Sequence, residues 1–336
     1  MDRIASFLDR IGLTWFVPLV RIIQGKERAY QTRIFLKMVG IPLASLAFVL
    51  LVWQALATSK GGGEILPTPG QVWGRGVEQV MEWHAEGARR TAYEIEVAKN
   101  VRELGMSEKE VRAALPYEQK KLFVNQMLLS LETVFAGVGL AVLVAVPLGI
   151  LCGLSTTINS AMNPLIQVFK PVSPLAWFPV VYLIANKLVS NDAMLPKSFL
   201  VAAIVVSLCA MWPALINTAN GVANVDRDHL NVAKVLNLNF FQKVWRIVLP
   251  ASLPSIFTGI RLSLGIGWMV LIAAEMMAVS PGLGGFVWDW YQSSNDIAMS
   301  YLVLAVLVIG IIGFLLDRIM IGIQKFMSHG NAAAIR

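Results

Sequence analysis

The sequence predicts an all-α integral membrane protein of about six transmembrane helices, with an N-terminal interfacial amphipathic helix and a soluble helical insertion after the first span. Three observations carry that expectation. Apolar residues make up 56% of the 336 and charged residues only 15%, with a mean hydropathy of +0.64, against roughly 45–50% and 25% in a soluble domain. Apolar runs recur that reach the about 20 residues a helix needs to cross the hydrocarbon core. The net charge of +7 resides mainly outside those runs, above all in the N-terminal arm, as membrane topology requires and a nucleic-acid surface does not.

Residues 1–34 form the arm. Its stretch 4–23 is apolar but interrupted by Asp9, Arg10, Pro18 and Arg21. It therefore reads as a helix in the membrane interface, with Trp15 and Phe16 at headgroup level, rather than as a span or a cleaved leader. The first span covers about 35–57 and stops at Gly61-Gly62-Gly63. The insertion, 58–122, is rich in Glu, Ala, Arg and Lys, the composition of exposed helix. Gly105 closes one helix, and the S-x-x-E pattern of Ser107 and Glu110 opens the next. Five further spans, about 125–153, 163–187, 198–219, 254–280 and 299–322, form a core over 123–325, followed by a tail at 326–336. The third holds Pro164, Pro171, Pro174 and Pro179, so it cannot be one regular helix. Broken backbone survives at membrane depth only inside protein or along a cavity, which places this segment within the bundle as a channel wall.

Lysine and arginine set the orientation. The arm and first span carry Arg3, Arg10, Arg21, Lys26, Arg28, Arg33 and Lys37, and the loop after the fourth span carries Arg227, Lys234, Lys243, Arg246 and Arg261. Six crossings put both segments on one side, and the basic excess makes that side cytoplasmic, with both termini there. The insertion, whose ten basic residues within 60–121 balance ten acidic ones, lies on the outer face.

Chemistry within the chain is sparse. Cys152 and Cys209 sit in apolar runs as small buried thiols, and His84, His229 and His329 stand singly, so no metal site is expected. No phosphate loop G-x-x-x-x-G-K-[ST] occurs, so ATP, if used, is bound by another chain.

The most informative segment is 226–261, DRDHLNVAKVLNLNFFQKVWRIVLPASLPSIFTGIR. Leu230, Val232, Val235, Leu236 and Leu238 are apolar within an otherwise polar helical stretch, and a turn near Asn237–Asn239 is expected because Asn tolerates left-handed backbone. Two short helices crossing there present a knob, and exposed apolar residues in such number usually meet a partner.

Here the chain resembles the permease subunits of bacterial ABC importers, whose loop reads E-A-A-x-x-x-G and then I-x-L-P. Asn231, Val232 and Ala233 stand at the E-A-A triplet, Asn237 at the glycine, and Ile247, Leu249 and Pro250 at the second element; Pro254, Gly259, Arg261 and Ala274-Glu275 extend the match. The resemblance covers roughly 120–325 and is to the nitrate, bicarbonate, sulfonate and taurine branch. SLETVFAGVGLAVLVAVPLGILCGLS, PLAWFPV, LPTPGQVW and EMMAVSPGLGGFVWDWYQ carry it, and the tail WDWYQSSNDIAMSYLVLAVLVIGIIGFLLDR looks most like nitrate permeases. It implies a subunit of the bacterial inner membrane with a cytoplasmic coupling loop over 220–253, a second permease copy, two cytoplasmic ATPase subunits holding ATP and Mg, and a binding protein that delivers solute outside. In that loop the resemblance implies apolar anchors at Leu230, Val235, Leu236 and Phe240 and a polar rim of Asp226, Arg227 and Lys234. The insertion is then a periplasmic brace or a docking surface for the binding protein.

The solute this branch implies is a small anion, which neutral donors and helix N-termini suit best. Ser173, Trp177, Trp212, Ser263 and Trp268 are the path-lining candidates. Glu132 and Glu275, inside spans, have the wrong sign to hold an anion and read as gates or hydrogen-bonding partners. Gly282-Leu283-Gly284-Gly285 is expected to re-enter the bundle as a tight loop. A secondary carrier would need paired intramembrane charges and inverted repeats, and neither is expected. An intramembrane enzyme would need a nucleophile–base pair or a metal cluster, which two isolated glutamates do not make.

Overall fold

The structure, a computed structural model, describes residues 17–25, 28–59, 66–117, 121–189, 195–226, 228, 231, 233, 235–293, 295 and 297–332. Among the described residues all regular structure is helical. Five helices are long and apolar enough to span a membrane, or six if one sharply bent pair counts as a span.

The chain enters through α1 (Val17–Ile23) and α2 (Arg28–Phe35), which continues through a wide turn at Leu36–Gly40 into α3 (Ile41–Thr58). Trp15 and Phe16 lie outside the described residues. The apolar rod Ala29–Thr58 starts before the expected residue 35 and buries none of its apolar window in the subunit. Arg33 and Lys37 interrupt the composition without interrupting the helix, because long basic side chains can lie along it and reach toward polar surroundings. A helix apolar on every side and uncovered by protein faces lipid or another subunit. Its far end is tied down by Trp53, whose Nε1 donates to the Pro67 carbonyl at 2.9 Å.

The insertion is dominated by α4 (Pro69–Leu104). Thr68 and Gln71 close a capping box around its first turn, with Pro69 preset for the first helical position. Gly105 ends it at φ +63°, and Ser107 with Glu110 caps α5 (Glu108–Ala114), both as expected. Arg112 reaches back to Glu94 at 2.7 Å, and Tyr93 and Tyr117 stack at 4.7 Å. Arg112's hydrogen bond holds the Glu94 carboxyl below its ordinary range. The insertion braces the core: Trp83 Nε1 donates to Asn125 Oδ1 at 3.2 Å, and the Tyr301 hydroxyl donates to Glu78 at 3.3 Å.

The core comprises α6 (Phe123–Leu154), the pair α7 (Thr156–Phe169) and α8 (Pro174–Leu188), α9 (Lys197–Ala223), α10 (Phe240–Lys243), α11 (Leu249–Ala278), α12 (Leu283–Gln292) and α13 (Ala298–Ala332). Helix α9 is the central post, packed most extensively against α6 and α11. Val205, Val206, Ala210, Ala214 and Leu215 on it are fully buried. Helices in a bilayer gain little from excluding water, so close backbone approach between small residues must hold them. Three glycines of α6 meet that need: a Cβ on Gly137, Gly149 or Gly153 would stand 2.5–2.7 Å from atoms of α9. On the other side, Gly259 of α11 packs on Pro213, Ala214 and Asn217.

The proline-rich third span is broken as expected, α7 and α8 meeting at 99°. Its expected place within the bundle holds only for α8, which buries Phe178, Val181 and Ala185, since α7 buries none of its residues in the subunit. Pro171 lies in the break and Pro174 opens α8, whereas Pro164 and Pro179 are absorbed within helices. Helix α12 tucks into the bundle, burying Leu283, Gly284, Gly285 and Phe286.

Candidate functional site

The loop between α9 and α11 folds into a compact knob. The Asp226 carboxylate accepts the Asp228 N–H at 3.0 Å, and Asp228, Asn231, Ala233 and Val235 are helical. Asn237 then turns left-handed at φ +48°, and the Leu238 N–H returns to the Ala233 carbonyl at 3.0 Å. That six-to-one bond around a left-handed residue is the Schellman closure usually made by glycine, so Asn237 does the glycine's work. Asn239 and Gln242 cap α10 reciprocally. Arg227, Leu230 and Lys234 lie outside the described residues.

The closure buries Ala233 and turns Val235 (80% exposed) and Leu236 outward. Phe240 is exposed beside them, and so are Phe241 (73%) and Trp245 (69%), which sequence reasoning passed over. Their i, i+4 spacing, with Lys243 between them and Arg246 directly after, was the available signal. Pro250, by contrast, sits half-buried in the first turn of α11, behind the knob.

Inside the bundle, Glu275 is fully buried and caps another helix. Its carboxyl oxygens accept the Gly284 N–H at 2.9 Å and the Ser130 hydroxyl at 2.8–2.9 Å, while Ser130 Oγ accepts the Leu283 N–H at 2.8 Å. Gly282 supplies no side-chain cap of its own, so Glu275 and Ser130 satisfy the free amides of α12 from two other helices. Glycine is required there because a Cβ on Gly282 would run into the Glu275 carboxyl and one on Gly284 into the Ile272 carbonyl. Ser130, 145 residues from Glu275, gave no sign of this role in the sequence.

Glu132 lies on the outer surface of α6, exposed among Leu128, Phe135 and Leu143. Ser173 is the N-cap of α8, its Oγ accepting the Leu175 N–H at 3.3 Å. Ser263 and Trp268 are buried with their polar groups spent inside the subunit. Ser263 Oγ accepts the Ala214 N–H at 3.1 Å, beside Pro213, and Trp268 Nε1 donates to the Ile309 carbonyl at 3.0 Å. Trp177 and Trp212 differ: both indole nitrogens are buried with no acceptor among the described residues. Each such orphan donor costs about 1–3 kcal/mol.

One expectation is corrected. Paired charges within the spans were not foreseen, yet Arg261 Nε donates to Asp317 at 2.7 Å between α11 and α13, and Arg318 joins at 3.2 Å. The partners are 56 residues apart, so no local pattern announces them. Arg261 lies 17 residues from the far end of α11, about 26 Å at 1.5 Å per residue, which puts the pair toward the knob end. There, together with Gln324 on Thr258 at 2.8 Å, it zips two helices.

With this geometry in hand, the comparisons decide the family. Residues 145–328, over half the chain, match the model of the binding-protein-dependent transport system inner membrane component. The chain belongs to that family. Among its relatives, a bicarbonate transport system permease protein of Synechococcus elongatus is 38% identical over 203 residues, 60% of this chain and 68% of the relative. A nitrate import permease protein of Synechocystis sp. is 32% identical over 286 residues, 85% and 88%. The taurine transport system permease protein of Escherichia coli is 32% identical over 205 residues, 60% and 70%. The chain is therefore a multi-pass inner-membrane permease subunit of an ABC importer, working with ATPase and substrate-binding partners. It is a channel-forming component rather than an enzyme, and membership removes the secondary-carrier alternative despite the Arg261–Asp317 pair.

Proposed function

We propose that this permease imports a small oxyanion, nitrate or nitrite first, and that its 226–245 knob is the lever through which partner ATPases drive transport. The observation that favours nitrate is extent. One nitrate relative aligns over 85% of this chain, through the insertion as well as the core, whereas two further nitrate relatives align over 64% and 58% and the bicarbonate and taurine relatives over 60%. Bicarbonate is the second reading, supported by the higher identity of 38%; sulfonates and taurine come after it.

The exposed Val235, Leu236, Phe240, Phe241 and Trp245 are the anchors, flanked by the polar positions Asp226, Arg227, Lys234 and Lys243. Leu230 adds a further apolar anchor, with Asn231, Ala233, Asn237 and Pro250 holding its frame. ATP and Mg reside on the partners, whose closure pushes the knob as a rigid body and rocks the spans between two access states. The basic arm and the basic knob face the cytoplasm, as the lysine and arginine distribution supports. A second copy of this chain, pairing as a homodimer, gives the exposed carboxylate of Glu132 a protein environment in place of lipid. The insertion serves mainly as a brace, on the strength of its bonds to α6 and α13, and a cavity of about 540 Å³ beside Trp83, His84 and Arg90 is the surface available to the binding protein.

Uptake by proteoliposomes holding the permease, its ATPases and the cognate binding protein, with nitrate, bicarbonate and taurine supplied in turn, tests the proposal. ATP-dependent accumulation of nitrate ahead of the others is the expected result. Accumulation of taurine alone, or of none, contradicts it.

A further inference from the structure

The two orphan indoles contrast with every other tryptophan donor described above. Trp53, Trp83 and Trp268 each have an acceptor, whereas Trp177 and Trp212 hold buried N–H groups with none among the described residues. They are also gathered in one place. Phe169, the last residue of α7, lies 5.9 Å from Trp177 and 6.4 Å, nearly parallel, from Trp212. Trp177 is in the first turns of α8, so the cluster sits at the 99° break between the two half-helices. Trp212 stands 15 residues from one end of α9 and 11 from the other, about 22 Å and 16 Å along its axis, close to mid-depth.

Broken backbone at that depth is where membrane transporters place their binding groups, because it must be covered by protein or line a path. The backbone donors at the start of α8 are already engaged: the Leu175 N–H goes to Ser173 Oγ, and the Ala176 and Trp177 N–H groups go to the Ser173 carbonyl. Nor are the charged groups of the neighbouring spans free to serve. Arg261 is tied to Asp317, and Glu275 caps α12. Among the described residues the uncommitted buried donors of α8 and α9 are then the two indole N–H groups and the Thr218 hydroxyl, which lies six residues beyond Trp212 and away from the aromatic cluster at the break. Lys170 is exposed in the break beside Phe169 and in no ion pair among the described residues.

Resting on the oxyanion reading above, we propose that Trp177 and Trp212 are specificity-determining residues of the path, their indole N–H groups donating hydrogen bonds to a small oxyanion as it passes the break. In the conformation described, the donors are closed off and unsatisfied; when the half-helices part, the anion's oxygens satisfy both. Neutral donors suit this task, since a passing ion must be held well enough to enter and weakly enough to leave. The aromatic rings around them strip the ion of water and supply no acceptor that competes with it.

The test uses the complete importer in proteoliposomes with nitrate and bicarbonate as probes, measuring anions delivered per ATP hydrolysed for wild type, Trp177→Phe and Trp212→Phe. Phenylalanine keeps an aromatic ring and removes the donor. Each variant is expected to lower anions per ATP by about tenfold, the loss of roughly one hydrogen bond to a charged ligand. If a phenylalanine variant fails to assemble, benzothienylalanine at the same position keeps the bicyclic shape without the N–H, and the same loss is expected. Unchanged delivery together with a higher unfolding temperature overturns the proposal, since removing an orphan donor that serves nothing should stabilise. A parallel fall of delivery and ATP hydrolysis overturns it too, marking the indoles as parts of the coupling machinery. Wild type that delivers neither anion defeats the oxyanion reading itself, an outcome distinct from wild-type delivery unaffected by the substitutions.

Discussion

Replacing Ser130 with alanine probes the clasp inside the bundle. One hydroxyl donates to the Glu275 carboxyl at 2.8–2.9 Å and accepts the Leu283 N–H at 2.8 Å. Alanine leaves a buried N–H without an acceptor, about 1–3 kcal/mol, and removes a donor from a buried carboxyl, about another 1–2 kcal/mol. The two bonds share an atom, so the losses overlap, and the expected cost is about 2–4 kcal/mol. Unfolding in detergent should then come roughly 4–16 °C lower, at about 2–4 °C per kcal/mol. Hydrogen exchange is the more local assay. Amides 283–286 should exchange at least about tenfold faster, because about 1.4 kcal/mol of lost protection is one decade. Ser160→Ala, at an exposed position of α7, should change neither quantity. Equal exchange over 283–286 in the two variants would refute the claim that this hydroxyl pins α12.

Three further outcomes are expected. Gly149→Ala places a Cβ 2.6 Å from Thr218 Cβ and 2.8 Å from the Leu215 carbonyl, an overpacking worth about 1–3 kcal/mol, so thermal unfolding should fall while the exposed Gly139→Ala control does not move. At the left-handed Asn237, glycine should be neutral or stabilising. Valine should cost at least about 1–2 kcal/mol, seen as faster proteolysis of the knob and weaker ATPase binding. Glu94 is held below its ordinary 4.5 by Arg112. A depressed carboxyl contributes stability that is present above the ordinary value and lost as pH falls through the lower folded one. Exchange of α5 amides should accordingly accelerate below about pH 4.5 in wild type, and Glu94→Gln should be fast already at neutral pH; pH-independent protection in wild type would contradict the clasp.

Features encoded within a few residues of one another were readable. The spans followed from apolar length, the break in the third from its prolines, and the left-handed turn from Asn237. The helix boundary at 105–107 followed from a glycine and a capping box. What escaped depends on distant partners. Ser130 and Glu275, or Arg261 and Asp317, are hydrogen-bonded across the bundle by contacts that no periodicity announces. The glycines of α6 are legible as small residues, but their tight fit on α9 exists only once both helices are placed. The same limit divides the path candidates. Trp268 and Trp212 look alike in sequence, and only the carbonyl of Ile309, present for one and missing for the other, separates a satisfied packing residue from an orphan donor.

Co-purification of the partner ATPase from native membranes, with wild-type subunit and with Leu236→Asp, measures the lever directly. Leu236 is exposed on the knob, so aspartate there should leave the bundle folded. A charge buried in an apolar contact should release the ATPase and abolish ATP-driven uptake. Recovery of the ATPase in wild-type amounts with Leu236→Asp, and undiminished uptake, would contradict the assignment of this loop as the coupling element.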